Sequence, residues 1–406
     1  MRVGLFHPGT QHSWQAALAL QQQQRLAWYA TSIFRRDGRL PFDLLERLPG
    51  PAGRAARREL GRFRFDALDP AKVRTHGLHE WAERAARRAG FGRLAARLNA
   101  GGNVEFGRWV ARMARKERLD ALWGFNSSSL EAFGAAAGTA RILDQTTPDL
   151  RAINAVLGEL ESGHADWLVN PGFRHSQAAI DRQAGEFALA DRILVGSEYT
   201  AATLREHAGM GVAARTRLLP YCYDAAQFTG QRAPEATSGP VRFLMVGSIS
   251  AQKGAHVALQ AIEQFSPSEA TLTLVGSLAL PPQKWAQYER RVRHVRHLPR
   301  SQVPMAMADH HVLLFPSFYE GGGIVLYEAL ASGLAVVQTP RASHAVDADT
   351  GILLGNLDVD TLAEAMRTCI MDRERLERWR AAAPNRARLF NFEAYSNGVA
   401  KVLKTL

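Results

Sequence analysis

The chain has 406 residues, 46% of them hydrophobic, with 34 glycines and a net charge of +11. That length is more than one compact core holds, and the composition is that of a soluble α/β protein of two domains. The two cysteines, Cys222 and Cys369, lie far apart without metal-type spacing, which argues against a disulfide framework or a zinc site.

The chain opens with a strand, Val3 to His7, too short and too soon polar for a signal peptide. No apolar run approaches the roughly 20 residues that span a bilayer, so a cytoplasmic location is expected. A loop at Pro8-Gly9-Thr10 and a helix from about Ser13 to Gln24 follow, then an extended run from Ala27 to Phe34. Residues 51 to 118 read as a helical insertion, with Trp81, Ala85, Ala89, Leu94 and Leu98 facing inward. This segment holds 17 Lys or Arg against 7 Asp or Glu, nearly the whole charge excess. Such a surplus makes either a solvated helical face or a surface for anionic lipid or a phosphate-bearing acceptor. No nucleic-acid-binding motif accompanies it.

Strands resume at Asp120 to Phe125 and Ala140 to Gln145. Another runs from Asp191 to Ser197, with Ser197 placed to cap a helix from Glu198 to His207. A polar, Pro- and Gly-rich linker, 229–240, separates this half from a second series opening at Val241 to Val246. Its later strands are Leu272 to Val275, His294 to His297, Val312 to Phe315, Ala335 to Gln338 and Ile352 to Leu354. Strands alternating with helices imply βαβ units and parallel sheets.

Two stretches carry chemistry. In LLFPSFYEGGGIVLYEALASGLAVVQT, Leu313 to Thr339, a buried strand turns through Glu320-Gly321-Gly322-Gly323 into a short helix from Ile324, stopped by Gly333. The glycines let a ligand approach the main chain, and the helix N-terminus offers amides to an anion. Glu328 is the one carboxylate on an otherwise apolar helix, so it needs a polar partner in a cavity. In Val246-Gly247-Ser248-Ile249-Ser250-Ala251-Gln252-Lys253-Gly254, a strand delivers a glycine and a lysine just before a helix, a placement suited to a diphosphate.

Together these stretches resemble the signature of the retaining nucleotide-sugar glycosyltransferases of family 4, whose fold is called GT-B. Glu320 and Glu328 match its two glutamates eight positions apart, followed by E-A-x-A-x-G. The loop at Gly247 resembles its G-R-x-x-x-x-K-G, with Ser248 in place of arginine. The resemblance implies two Rossmann-like domains with parallel sheets facing across a cleft: an acceptor-side domain over 1–225 and a nucleotide-sugar domain over 240–390. A last helix over about 391–406 is expected to pack back on the first domain. It further implies that Glu328 holds the ribose, that Glu320 and the amides of Gly321, Gly322 and Gly323 hold the donor sugar and phosphate, and that Lys253, with Gly247 and Ser248, binds the departing diphosphate. Glu320 and Lys253 are then the catalytic pair, and main-chain groups near Arg296 to Pro299 match the base-binding position. No cofactor beyond the nucleotide sugar and no metal is implied.

On the acceptor side the match is thin and rests on Gly9, Thr10 and Asp144. Asp144 stands where the family often has a histidine-aspartate pair; it either touches sugar or caps the helix near Pro148. In Pro220-Tyr221-Cys222-Tyr223-Asp224, Cys222 replaces a glycine of the family hinge, which implies less local backbone freedom there. Gly322 replaces an aromatic residue, which suggests open room beside the sugar. The expected activity is sugar transfer to a glycan or lipid-linked acceptor, in polysaccharide or glycolipid assembly, at the inner face of an anionic membrane. The alternative is a degenerate relative that only binds a nucleotide sugar, a membrane or a partner.

Overall fold

Short runs of Val, Leu, Ile and Phe, buried on both faces, form strands of parallel sheets. The first half of the chain supplies β1 (Val3–Phe6), β2 (Leu26–Thr31), β3 (Val73–Thr75), β4 (Ala121–Phe125), β5 (Ala140–Gln145), β6 (Arg192–Val195) and β7 (Thr216–Leu218). They make one parallel sheet in the order β3-β2-β1-β4-β5-β6-β7. The second half supplies β8 (Val241–Val246), β9 (Ile249–Ser250), β10 (Ala270–Val275), β11 (Leu278–Ala279), β12 (Arg293–Val295), β13 (Val312–Phe315), β14 (Ala335–Gln338) and β15 (Gly351–Leu353). Six of these form a second parallel sheet, β12-β10-β8-β13-β14-β15, while β9 and β11 pair separately. The computed structural model describes all residues except 10, 11, 37–41, 43, 45, 46, 48, 51, 52, 55, 56, 58, 59 and 229–238. Thr10 and most of the expected linker therefore lie outside the described residues.

In each sheet the strand order reverses once, between β1 and β4 in the first and between β8 and β13 in the second. A doubly wound sheet opens a crevice at the carboxyl ends of the two strands flanking such a reversal. In the second sheet those ends carry the two stretches singled out in the sequence. Gly254, at φ +70, lies so close to the other loop that a Cβ would sit 1.9 Å from the Pro316 carbonyl oxygen. Only glycine permits both the dihedral and the approach.

The halves meet through apolar contacts as well as through the chain. Val156, Leu160 and Trp167 of the first half join one cluster with Val257 and Phe318 of the second. His256 is fully buried there, its ring stacked on Phe318 with centroids 5.5 Å apart. Burial pushes its imidazole down to about 3, so it is a neutral packing group. The last helix, Phe392–Lys404, places Tyr395, Val399, Val402 and Leu403 in the core of the first sheet with Val3, Leu5 and Leu20.

The segment expected to be wholly helical departs from that reading. It contributes edge strand β3 as well as helices Leu78–Arg88 and Gly92–Ala114. The inward face is also different: Ala85, Ala89 and Leu94 are exposed, while Glu83, Ala86, Ala95, Phe106 and Val110 are buried. With so much alanine and arginine, helical periodicity leaves the rotation of the helix about its axis undetermined, and packing on the sheet fixes it.

Leu403→Ala should destabilise the first domain by about 2–5 kcal/mol, the usual cost of a truncated buried leucine. Urea unfolding checks this, and an unchanged midpoint would mean that the last helix is not part of that core.

Candidate active site

Strand β13 ends at Phe315, and Pro316-Ser317 carries the chain over the sheet edge to Glu320. Strand β8 ends at Val246, followed by exposed Gly247 and Ser248 and then by Lys253. Gly247 has φ +128 and open space where a side chain would be, a backbone poised for close approach by a ligand. The topology brings Lys253 and Glu320, 67 positions apart, into a direct ion pair with each side chain 24% exposed. Burial lowers the Lys253 ammonium to about 8.

The helix Ile324–Ala331 begins at Gly323, at φ +95, with no side-chain cap on its N-terminal amides. Gly321 donates its amide to the Glu320 carboxylate at 3.3 Å. Five residues into the helix, Glu328 is only 13% exposed, and Arg300 donates to its Oε1 at 3.3 Å. This is the polar partner that its burial required. Burial raises the Glu328 carboxyl, and Arg300 partly offsets that effect. Arg300 immediately follows the 296–299 segment, so the ion pair brings that segment beside Glu328. A pair linking a loop to a helix 28 positions on has no local sequence signal.

The first domain reaches the same loop. A Cβ on Gly321 would lie 1.7 Å from the Thr146 carbonyl oxygen, just past β5. The Gly321 carbonyl accepts from Thr200 Oγ1 at 3.3 Å. Asp144, at the end of β5, is buried and does not cap a helix; the following helix, Leu150–His164, is capped by Asp149. Instead Asp144 Oδ1 lies 3.3 Å from His12 Nε2 and accepts from the Tyr221 hydroxyl at 3.3 Å. A histidine is therefore present beside the acid, but it comes from the loop after β1 rather than from the same strand. Gly9, in that loop, accepts from Thr31 Oγ1 at 3.2 Å and lies against the His7 ring. His7 is buried, which pushes its imidazole down to about 4.

Two readings of substituted positions change. Gly322 does not open room, because a Cβ there would lie 2.5 Å from the Tyr221 ring, which fills the space. Cys222 keeps φ out of the left-handed region and is buried, so the hinge position it occupies needs no glycine.

Residues 240–372 match the family model described as Glycosyl transferases group 1. The matched stretch falls within the second domain and carries both the Lys253 and the Glu320 loops. Glycogen synthase from Mycobacterium tuberculosis is 27% identical over 178 residues, 41% of this chain and 42% of that protein. The O-antigen chain mannosyltransferase B of Escherichia coli is 28% identical over 120 residues, 28% of this chain and 30% of that one. The chain thus matches less than half the length of these relatives. The solved structure of Anabaena Alr3699/HepE in complex with UDP superposes with a TM-score of 0.62 at 15% identity, covering 100% of both chains. That full-length likeness, with the two parallel sheets, makes the fold GT-B. The family model leaves the first domain uncovered.

Glu320→Gln should move the Lys253 titration downward, because a carboxylate in direct contact favours the ammonium form and the amide does not. Nitrogen-15 NMR of the lysine side chain reads the shift, and an unmoved or raised midpoint would show that the two groups are not coupled.

Proposed function

We propose that the chain transfers a sugar from a nucleoside diphosphate donor to an acceptor with retention at the anomeric carbon. The observation that carries this reading is the Lys253–Glu320 pair at the strand-order reversal, beside an uncapped helix N-terminus, with buried Glu328 one helix turn and more beyond. An ammonium and a helix N-terminus together favour the charge that grows on a leaving diphosphate. On this reading the donor's phosphates take Lys253 away from Glu320, freeing the carboxylate for sugar hydroxyls. Glu328, held by Arg300, receives the ribose, and the segment before Arg300 receives the base. Ser248 offers a hydroxyl where an arginine would give a charge, so Lys253 bears more of the diphosphate. The protein groups take the role of a metal at the diphosphate. The related glycogen synthase and mannosyltransferase, and an Anabaena structure in complex with UDP and glucose, support a nucleotide-sugar donor.

The working division is 1–225 for the acceptor, with the last helix, and 240–390 for the donor, with polysaccharide or glycolipid assembly as the setting. Among the described residues no helix is long and apolar enough to cross a membrane. A peripheral attachment is supported by the helix pair Leu78–Arg88 and Gly92–Ala114, which exposes Leu78, Phe91 and Leu94 near Arg87, Arg93 and Arg97. Arg84 and Arg87 pair with Glu80 and Glu83, so the longer helix supplies more of the net charge. Each basic residue at an anionic surface contributes about 1 kcal/mol. Anionic vesicles should therefore float the protein at low salt and release it near 1 M, where screening shortens to about 3 Å. Equal recovery with neutral vesicles would point to an acceptor in solution.

Glu328→Ala should weaken nucleotide binding, and Glu320→Ala and Lys253→Ala should lower kcat, each by about 1.5–3 kcal/mol, or about 10- to 150-fold. Transfer kinetics with a panel of donors decide this, and wild-type values in all three variants would remove the donor site from this crevice. For the free enzyme kcat/KM should fall as pH rises through about 8, because only the ammonium form of Lys253 neutralises the diphosphate. Lys253→Arg should abolish that limb, since a guanidinium stays charged.

A further inference from the structure

Tyr221 belongs to the crossover that joins the two domains, yet its side chain sits under the donor loop. Its residue is 5% exposed. A Cβ on Gly322, in the second domain, would lie 2.5 Å from one edge of the ring. A Cβ on Gly196, just past β6 in the first domain, would lie 2.5 Å from Cε2 of the same ring. The ring also packs on the His12 imidazole, with centroids 3.7 Å apart and planes at 31°. Its hydroxyl donates to Asp144 Oδ1, the oxygen that also faces His12 Nε2. Burial raises the phenol well above its usual range, so the hydroxyl remains a donor at every working pH.

Gly196 and Gly322 each lack the one atom that would exclude this ring, and they lie on opposite sides of the domain junction. A side chain gripped this way fixes the donor loop relative to the ends of β5 and β6. We propose that Tyr221 is a positioning residue for the transfer reaction, wedged between Gly196 and Gly322 and holding Asp144 and His12 in register with the donor loop. The inference rests on the donor-site reading above and deepens it: the aromatic surface that Gly322 cannot supply arrives from the crossover. Tyr221 thereby ties the geometry of the first domain's acid and histidine to the position of Glu320, two residues before Gly322.

Two measurements test this. Tyr221→Phe keeps the ring in its slot and removes only the hydroxyl. It should lower kcat for transfer about tenfold while leaving donor KM and the thermal midpoint at wild-type values. Wild-type kcat in Tyr221→Phe would overturn the positioning role and leave a packing ring. For the wedge, Gly322→Ala should lower the thermal midpoint in the wild-type background and have little effect in a Tyr221→Ala background, where the slot is empty. Equal losses in both backgrounds would overturn the wedge. The thermal cycle needs no activity. If the wild type neither hydrolyses nor transfers any donor, the donor-site reading fails and takes the positioning role with it, while the cycle still decides the wedge.

Discussion

The arrangement of this site depends on β8 and β13 lying side by side at the point where the second sheet reverses its strand order. A crevice forms outside the carboxyl ends of the two strands that flank such a reversal. The approach of Gly254 to Pro316 closes the gap between the two loops to backbone contact. Lys253 is thereby held against Glu320. A larger residue at 254 would push the lysine and the carboxylate apart, whatever their identities.

Burial then sets the chemistry. Lys253 is depressed to about 8 and Glu328 is raised, and each is retained because a partner of opposite charge compensates: Glu320 for the lysine, Arg300 for the glutamate. Such pairs contribute little to stability, because desolvation offsets most of the attraction. Their worth lies elsewhere. They keep polar groups in a place that a ligand can enter, and they exchange one partner for another when it does.

The first domain takes part through contacts that cross the junction. Thr146 and Thr200 touch Gly321, Tyr221 underlies Gly322, and Val156, Leu160 and Trp167 continue the apolar core of the second domain. His256 shows how far this continuity goes, as an imidazole buried among Phe318, His164 and Trp167 and kept neutral by its surroundings. The final helix returns to the first sheet and ties both ends of the chain into one core.

The residues alone determined the parallel sheets and the two glycine loops. Each of these follows from local pattern: apolar runs of strand length and glycines where the backbone must bend. What lay outside local pattern was decided only by the tertiary structure. His12 meets Asp144 across 132 positions, Arg300 meets Glu328 across 28, and Tyr221 meets Asp144 across 77. The occupant of the space left by Gly322 was equally invisible, since a missing side chain says that room exists and nothing about what fills it. The inward face of the basic helices was misread for a related reason. Alanine and arginine leave the helix free to rotate, and only the sheet beneath it, extended by the short strand β3, fixed which side was buried. Periodicity reports what a segment can bury; close packing against a particular neighbour decides what it does bury.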